Sequence, residues 1–421
     1  MTGAVTVERD TSGAHELVAL DNGVLRVTAA PALGGRVLSV RHLGREHLYR
    51  NPRLLGEDLQ PVAGVVLGPV GGPMSAWHNV GGDKTWPAPQ GWDGPDQWAG
   101  PPDPVLDSGA YAAKTATAGD GSATLTMTSA DDPRSGLRLV RRLTLEPGAS
   151  GYRLDLEAVN TSGVPREWAL WNVTQIEGGH GTDRHAPGRA ARPIQEGAGN
   201  GGSADADGHG VYVGVSGTGP HTVPLVAGDA NPATAAHTPS VVRVPAQDVV
   251  GKVGFPTASG WLAHVGAAGT LTQRFAVDEG AAYPDGGSRV QVWLEYPVAH
   301  PLEHLGGLRP VDRVVECEAL GPLTALAPGG STALTVEFGF GTTTGPVIGV
   351  DPRGYWAQPP GTGSAQGGDP WPRAVFTALR EGTPDGGPPP RPHTGTAPAP
   401  GPGTPAVADR TRTHEHHPDQ E

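Results

Sequence analysis

The chain has 421 residues, including 65 Gly and 44 Pro, and a formal net charge of −13. That acidity argues against a nucleic-acid partner, whose phosphates call for a basic face, and no run of about 18 apolar residues offers a membrane span. A single cysteine, Cys317, excludes an internal disulfide, and the first residues have neither the basic start nor the apolar core of a signal peptide, so the expected compartment is the cytoplasm.

Apolar residues recurring every second position predict strands. Glu16–Asp21 and Val24–Ala29 flank Asn22-Gly23, a two-residue hairpin signal, and Arg36–His42 continues the pattern. Next comes WHNVGGDKTWPAPQGWDGPDQWAGPPDPVLDSGAY, residues 77–111, which holds four of the ten Trp. Its Gly and Pro forbid a regular helix, and its aromatics set it apart from a disordered linker. The expectation is a long irregular loop that serves as a binding surface. Ser122–Ser129 alternates cleanly, and Leu137–Glu146 and Tyr152–Asn160 surround the turn signal Pro147-Gly148. Further strands are expected at Glu167–Ile176, Gly210–Val215, Leu271–Val277, Ser288–Tyr296, Asp312–Ala319 and Ser331–Gly339. His185–Gly210 and His221–Ser240 read as irregular, Arg373–Arg380 as a short helix, and the Pro/Gly/His-rich tail from Thr383 as disordered. So many short strands imply an all-β fold of two large packed sheets over residues 1–345, a peripheral segment 346–382, and the tail 383–421.

Indole faces flanked by acids and amides suit sugars, which offer C–H faces for stacking and hydroxyls for hydrogen bonds. Within the Trp-rich stretch the candidate ligand contacts are Lys84, Trp86, Trp98, Asp103 and His78. Lys84 either bonds hydroxyls or an anionic sugar group, or pairs with the adjacent Asp83. Asp93, Asp96, Asp103 and Asp107 lack the alternation and closing Glu of a calcium loop, and read as solvated acids. His300-Pro-Leu-Glu-His304 spells an inverted zinc-hydrolase motif, but Pro301 and the nearby glycines oppose the helix that motif requires. His414, His416 and His417 lie in the tail. Arg141 and Arg142 point to opposite faces of their strand, one of them toward a ligand. Cys317 reads as a small buried hydrophobe. No phosphate loop or dinucleotide fingerprint occurs, and no metal or cofactor is expected.

The opening LDNGVLRVTAAPALGGRVLSVRHLGREHLY, with Gly34, Gly35, Arg36, Leu48 and Tyr49 at its marked positions, resembles the galactose mutarotase-like superfamily. The segments GGDKTWPAPQ, WAGPPDPVLDSGAY, WALWNVTQIEGG and YPDGG with VECEALGPLTALAPGGS are similar to an uncharacterised bacterial family within it. The resemblance covers roughly residues 16–340 and implies a β-supersandwich and a small carbohydrate ligand. It implies a general base on a late strand, where Glu318 stands, with Glu316 on the same face of that strand. Two carboxylates so placed repel, which raises the pKa of one. It also implies a His acid four residues before Asn172, where this chain has Trp168. Trp168 and Trp171 then form either a stacking wall or core, and a substitute acid is sought in His78, Lys84 or Tyr111. Three readings follow: an aldose-epimerase-like enzyme, a non-catalytic sugar-binding or sensing module, and a lyase or isomerase acting on an anionic sugar-like metabolite. No oligomeric state follows.

Overall fold

The alternation read from the sequence becomes β-structure almost throughout. The computed structural model describes residues 3–90, 98, 100–178, 208–357 and 373–375. Ten strands position the site: Arg36–His42 (β1), Asp83–Ala88 (β2), Leu137–Leu145 (β3), Gly151–Asn160 (β4), Arg166–Glu177 (β5), Gly251–Phe255 (β6), Gly269–Arg274 (β7), Val290–Glu295 (β8), Val314–Leu320 (β9) and Ser331–Gly341 (β10). Among the described residues two large sheets form, one of twelve strands and one of ten. The first runs β1-β2-β5-β9-β8-β6, and the second contains β7-β10-β4-β3 as neighbours. All these pairings are antiparallel. The sheets lie face to face, the β-supersandwich that was expected, and one core cluster draws on Val292, Cys317 and Ala319 from one sheet and Leu154, Leu156 and Phe338 from the other. Among the described residues no helix is long and apolar enough to cross a membrane.

On β3 the inward positions are Leu137, Leu139, Arg141, Leu143 and Leu145, all essentially unexposed. Each buried leucine contributes about 1.5–3 kcal/mol, but an arginine in that row requires a partner. Arg141 donates to the carboxylate of Asp83 and, at 3.0 Å, to its backbone carbonyl. The other Asp83 oxygen accepts from Asn172 Nδ2 at 2.8 Å and Thr174 Oγ1 at 2.6 Å. Gln273 on β7 in turn donates to Thr174 Oγ1 at 2.7 Å. A polar knot thus ties β2 and β5 to β3 and β7 through the middle of an apolar sandwich. Of the two arginines expected on opposite faces, Arg141 is the inward one, and it reaches Asp83.

Three sequence expectations need correction. Within the supposed irregular loop, residues 83–88 form a strand hydrogen-bonded along β5 from Ala169 to Thr174. Pro87 argues against such a position because it has no N–H to give the ladder, yet the alternation of Asp83 and Thr85 inward with Lys84 and Trp86 outward satisfies both faces. Gly82, at φ 81°, admits the strand: a Cβ there would lie 2.3 Å from the Val37 carbonyl oxygen. The His221–Ser240 segment contains strands at Val223–Ala227 and Ala235–Thr238. The expected helix at Arg373–Arg380 begins instead as a strand, Arg373–Val375, paired with Gly354–Ala357. Eight residues are too few for an isolated helix to compete with sheet hydrogen bonds. Val347, Tyr355 and Ala357 of the segment after residue 345 pack with Tyr212, Ala263 and Val265. Residues 185–207, 376–380 and the tail from Thr383 lie outside the described residues, as do Asp93, Asp96 and the tail histidines.

Replacing Arg141 with Met leaves Asp83 charged and buried without its cation. Loss of one partner of such a pair costs about 3–5 kcal/mol. The urea midpoint of Arg141→Met is expected to fall accordingly at unchanged slope, and a loss below about 1 kcal/mol would show that the pair does not hold the sheets.

Candidate functional site

The opposite, outer face of the twelve-stranded sheet carries the residues that the core cannot accommodate. Directly paired residues point to the same side of a sheet, and alternate residues share that side. The register therefore builds a grid. One row across β2, β5, β9 and β8 is Lys84, Val173, Glu318 and Gln291. On one side of it stand the paired Trp86 and Trp171. On the other runs Gln175, Glu316, Trp293 and, on β6, Lys252.

Each carboxylate of the grid has a lysine and a carboxamide nearby. Glu316 Oε1 accepts from Gln175 Nε2 at 2.6 Å and faces Lys84 Nζ at 3.4 Å. Glu318 Oε2 accepts from Trp171 Nε1 at 2.7 Å and Lys252 Nζ at 3.0 Å. Lys252 also donates to Gln291 Oε1 at 3.2 Å, and Gln291 Nε2 is fixed by Asp285 Oδ2 at 2.7 Å. Asp285 holds that position from φ 51°, a left-handed conformation uncommon outside glycine. Both lysines lie over indoles: Lys84 Nζ is 4.1 Å from the Trp86 ring centre and 5.0 Å from that of Trp77, and Lys252 Nζ is 4.3 Å from that of Trp171. Glu318 is wholly buried, and its Oε1 has no hydrogen-bond partner among the described residues; neither has Gln175 Oε1.

Burial sets the electrostatics. It pushes the Glu318 carboxyl up to about 7, with Lys252 opposing, Glu316 adding to the rise, and the hydrogen bonds from Lys252 and Trp171 opposing. Glu295, next on the same face of β8 after Trp293, is also pushed up to about 7, by burial first and then by Glu316; the hydrogen bond from Trp293 Nε1 and the charge of Lys84 oppose. Burial lowers Lys84, against the attraction of Glu316. A cluster of this kind can bind hydroxyls and move protons near neutral pH.

The structure brings together Glu318, Glu316, Lys84, Trp86 and Trp171. Lys84 pairs with Glu316 rather than with its chain neighbour Asp83, because successive strand residues face opposite ways. The other candidates lie elsewhere. Trp98 is a core residue whose ring is tilted against that of Trp86, with centres 4.9 Å apart, and its N–H goes to Asp103 Oδ2 at 3.2 Å. Asp103 Oδ1 takes the backbone N–H groups of Val105 and Leu106 at 2.8 and 2.6 Å, so this carboxylate organises its own turn. Trp168 donates to the Ser135 carbonyl at 3.1 Å inside the core, and Asn172 belongs to the Asp83 knot. His78 is exposed, on the rim of a small pocket with Leu33, Arg36, Trp77 and Asp107. The Tyr111 hydroxyl donates to the Leu106 carbonyl at 2.9 Å. His304 sits in a three-residue 3-10 turn against the Ala227 carbonyl. Sequence reading missed Lys252, Gln175, Gln291, Trp293 and Glu295. Their signal was present as polar residues at alternate positions of otherwise apolar strands, most plainly in VQVWLE of β8.

No protein-family model matches the chain, and no curated protein sequence matches it. Solved structures give distant likenesses. A TPR-domain containing protein from Parabacteroides distasonis is 13% identical at TM-score 0.47, covering 77% of this chain, which spans only 46% of that protein. A Klebsiella pneumoniae protein described provisionally as an aldose 1-epimerase is 11% identical at TM-score 0.48, covering 80% of this chain and 83% of its own. A galactose mutarotase-like protein from Clostridium acetobutylicum is 10% identical at TM-score 0.39, covering 81% and 99%.

The raised Glu295 has a consequence for stability. A carboxyl whose folded pKa exceeds its unfolded value binds its proton more tightly when folded. Its contribution is full below about 4.5 and is lost as pH rises through about 7. Glu295→Gln removes that loss. The variant should gain on the wild type between pH 5 and pH 8, by at most about 3 kcal/mol, in paired urea titrations. A pH-independent difference would mean that Glu295 ionises normally.

Proposed function

We propose that the outer face around Val173 binds a small carbohydrate and that Glu318 acts on it as a general base, in an aldose-epimerase-like opening of the sugar ring. The observation that carries this reading is the state of Glu318. Its Oε2 is held by Trp171 and Lys252, its Oε1 is buried with no hydrogen-bond partner among the described residues, and its pKa is raised to about 7. A base needs a fixed orientation, a free lone pair and a pKa near the working pH. Glu318 combines all three. Indoles beside carboxylates and carboxamides suit a ligand with C–H faces and hydroxyls, and the sequence resemblance to the galactose mutarotase-like superfamily points to the same ligand class. In the reaction, Glu318 takes the proton of the anomeric hydroxyl as the bond from C1 to the ring oxygen breaks. Rotation about C1–C2 and reclosure then give the other anomer.

A second reading, a sugar-binding or sensing module without turnover, is favoured by one observation. Trp168 occupies the place implied for the acid, and its N–H is already committed to the Ser135 carbonyl.

The discriminating measurement is proton NMR on freshly dissolved neutral, acidic and phosphorylated aldoses, recording saturation transfer and anomer exchange together. The epimerase reading expects catalysed exchange that rises with pH to a plateau above about 7. Glu318→Gln should remove it by about 100-fold or more while saturation transfer persists. Saturation transfer without exchange in the wild type would establish the binding module, and exchange undiminished in the variant would remove Glu318 from the chemistry.

A further inference from the structure

Ring opening needs a second group, because the ring oxygen must gain a proton as the anomeric hydroxyl loses one. Both oxygens are bonded to the anomeric carbon, so acid and base must converge on one small space from different sides. The grid offers such a pair. Lys84 and Glu318 occupy the same row on β2 and β9, with Val173 of β5 between them. Two inter-strand spacings separate their backbones, about 9–10 Å, with the small apolar side chain of the buried Val173 between them. Trp86 and Trp171 flank this row on one side, and Gln175 and Glu316 on the other.

We propose that Lys84 is the acid of this reaction: its ammonium, across Val173 from Glu318, protonates the ring oxygen while Glu318 deprotonates the anomeric hydroxyl. This rests on the reading of Glu318 as base. The C1–O5 bond breaks, O5 takes a proton from Nζ, the O1 proton passes to Glu318, and C1 becomes the aldehyde carbon. Reclosure reverses both transfers, so nothing is consumed.

The surroundings of Lys84 fit the role. Its side chain is 2% exposed, so its protons are shielded from exchange with bulk water. Glu316 is its hydrogen-bond acceptor among the described residues, at a long 3.4 Å, and the rest of its cage is the rings of Trp77 and Trp86. Indole faces stabilise the cation without accepting conventional hydrogen bonds, which leaves N–H groups to offer a ligand. The charged groups that face it are Glu316 from β9, Glu295 from β8, Arg36 from β1, and Asp107. Burial, the largest influence, draws its pKa down toward the range in which an acid gives up a proton readily. Other groups are worse placed. Glu295 lies four residues along β8 from Gln291, the partner of Glu318, which is about 13 Å away. His78, Tyr111 and Trp168 are outside the grid, as described above.

The test compares Lys84→Met and Lys84→Arg with the wild type in the anomer-exchange assay on freshly dissolved α-aldoses. Circular dichroism and saturation transfer confirm fold and binding. Arginine keeps the charge but does not release a proton in this pH range. Both variants are expected to lose about 100-fold or more in kcat, with KM little changed in Lys84→Arg. The wild-type profile should fall on the alkaline side, below the ordinary lysine range, and that limb should be absent from the residual rate of Lys84→Met. Full kcat in Lys84→Arg would show that only the charge matters and would overturn the proposal, as would an alkaline limb retained in Lys84→Met. Should neither variant fold, a wild-type profile flat up to about pH 10 overturns it. A wild type inactive on every sugar would overturn the Glu318 reading and this one together; an active wild type that needs Glu318 but not Lys84 would overturn this one alone.

Discussion

The outer face can be built only because Asp83 is held fast on the inner one. Asp83 and Lys84 are adjacent on β2 and point to opposite sides of the sheet. Asp83 is locked by Arg141, Asn172 and Thr174, and through Thr174 by Gln273. β2 therefore cannot slide or rotate without breaking a buried ion pair and leaving charges without partners. A one-residue slip would carry Lys84 into the apolar core and Asp83 onto the outer face. The polar knot contributes little net stability compared with an apolar plug of the same volume. Its effect is to fix register, and register decides which residues share the outer grid.

The same logic explains how so many charges sit on one face without disrupting it. Lys84 and Lys252 each lean diagonally, toward Glu316 and Glu318, so that the two cations alternate with the two carboxylates across the sheet. Glu316 and Glu318 are two residues apart on one strand, yet their surroundings differ. Glu316 faces Lys84 and takes the Gln175 amide, and it retains 8% side-chain exposure. Glu318 is entirely buried and holds its proton to about pH 7. Neighbouring like charges thus become chemically distinct through desolvation and partner choice. Asp285 extends the arrangement: it holds the Gln291 amide with its nitrogen toward Asp285, which turns the carbonyl to Lys252.

How far the sequence reveals this depends on whether a feature is local. Most strands of six or more residues were legible, from Arg36–His42 to Ser331–Gly341, because a period of two belongs to the chain itself, although Ala112–Thr117 and Ala258–Gly266 were not read. Glu316 and Glu318 on one face of β9 followed from that same period. β2 was not legible, because Pro87 and the preceding glycines carry loop chemistry, and only its tertiary partners, Arg141 and the β5 ladder, make it a strand. The aromatic content of residues 77–111 was read as a surface. Among the described residues much of it is taken up by the protein itself: Trp98 and Trp86 are buried and pack against each other, and their N–H groups go to Asp103 and Asp107. A tryptophan in a glycine-rich segment signals a contact, but composition does not say whether the contact is a ligand or the protein's own core. Lys252 and Gln291 were out of reach for another reason. A polar residue in an apolar strand marks each of them locally, but which residues they join is set by strand pairings more than 25 residues apart in sequence, and the local pattern does not encode those.

The indole cages explain why the lysines can remain donors. An ion pair stabilises a buried ammonium by engaging its N–H groups, and in doing so removes them from any other task. A cation over an aromatic face is stabilised through the ring quadrupole, with its N–H vectors left pointing elsewhere. Lys252 combines the two: it lies over Trp171 while bonding Glu318 and Gln291, both within 3.2 Å. Two of its three N–H groups are taken by these oxygens, and it serves to hold Glu318. Lys84 lies over two indoles and has, among the described residues, a single acceptor at 3.4 Å, so its charge is supported there more by rings than by oxygen. The two lysines are alike in sequence context, each outward on a short strand of the same sheet. What separates them is the balance between ring and oxygen around each ammonium, which makes one a brace and leaves the other able to act.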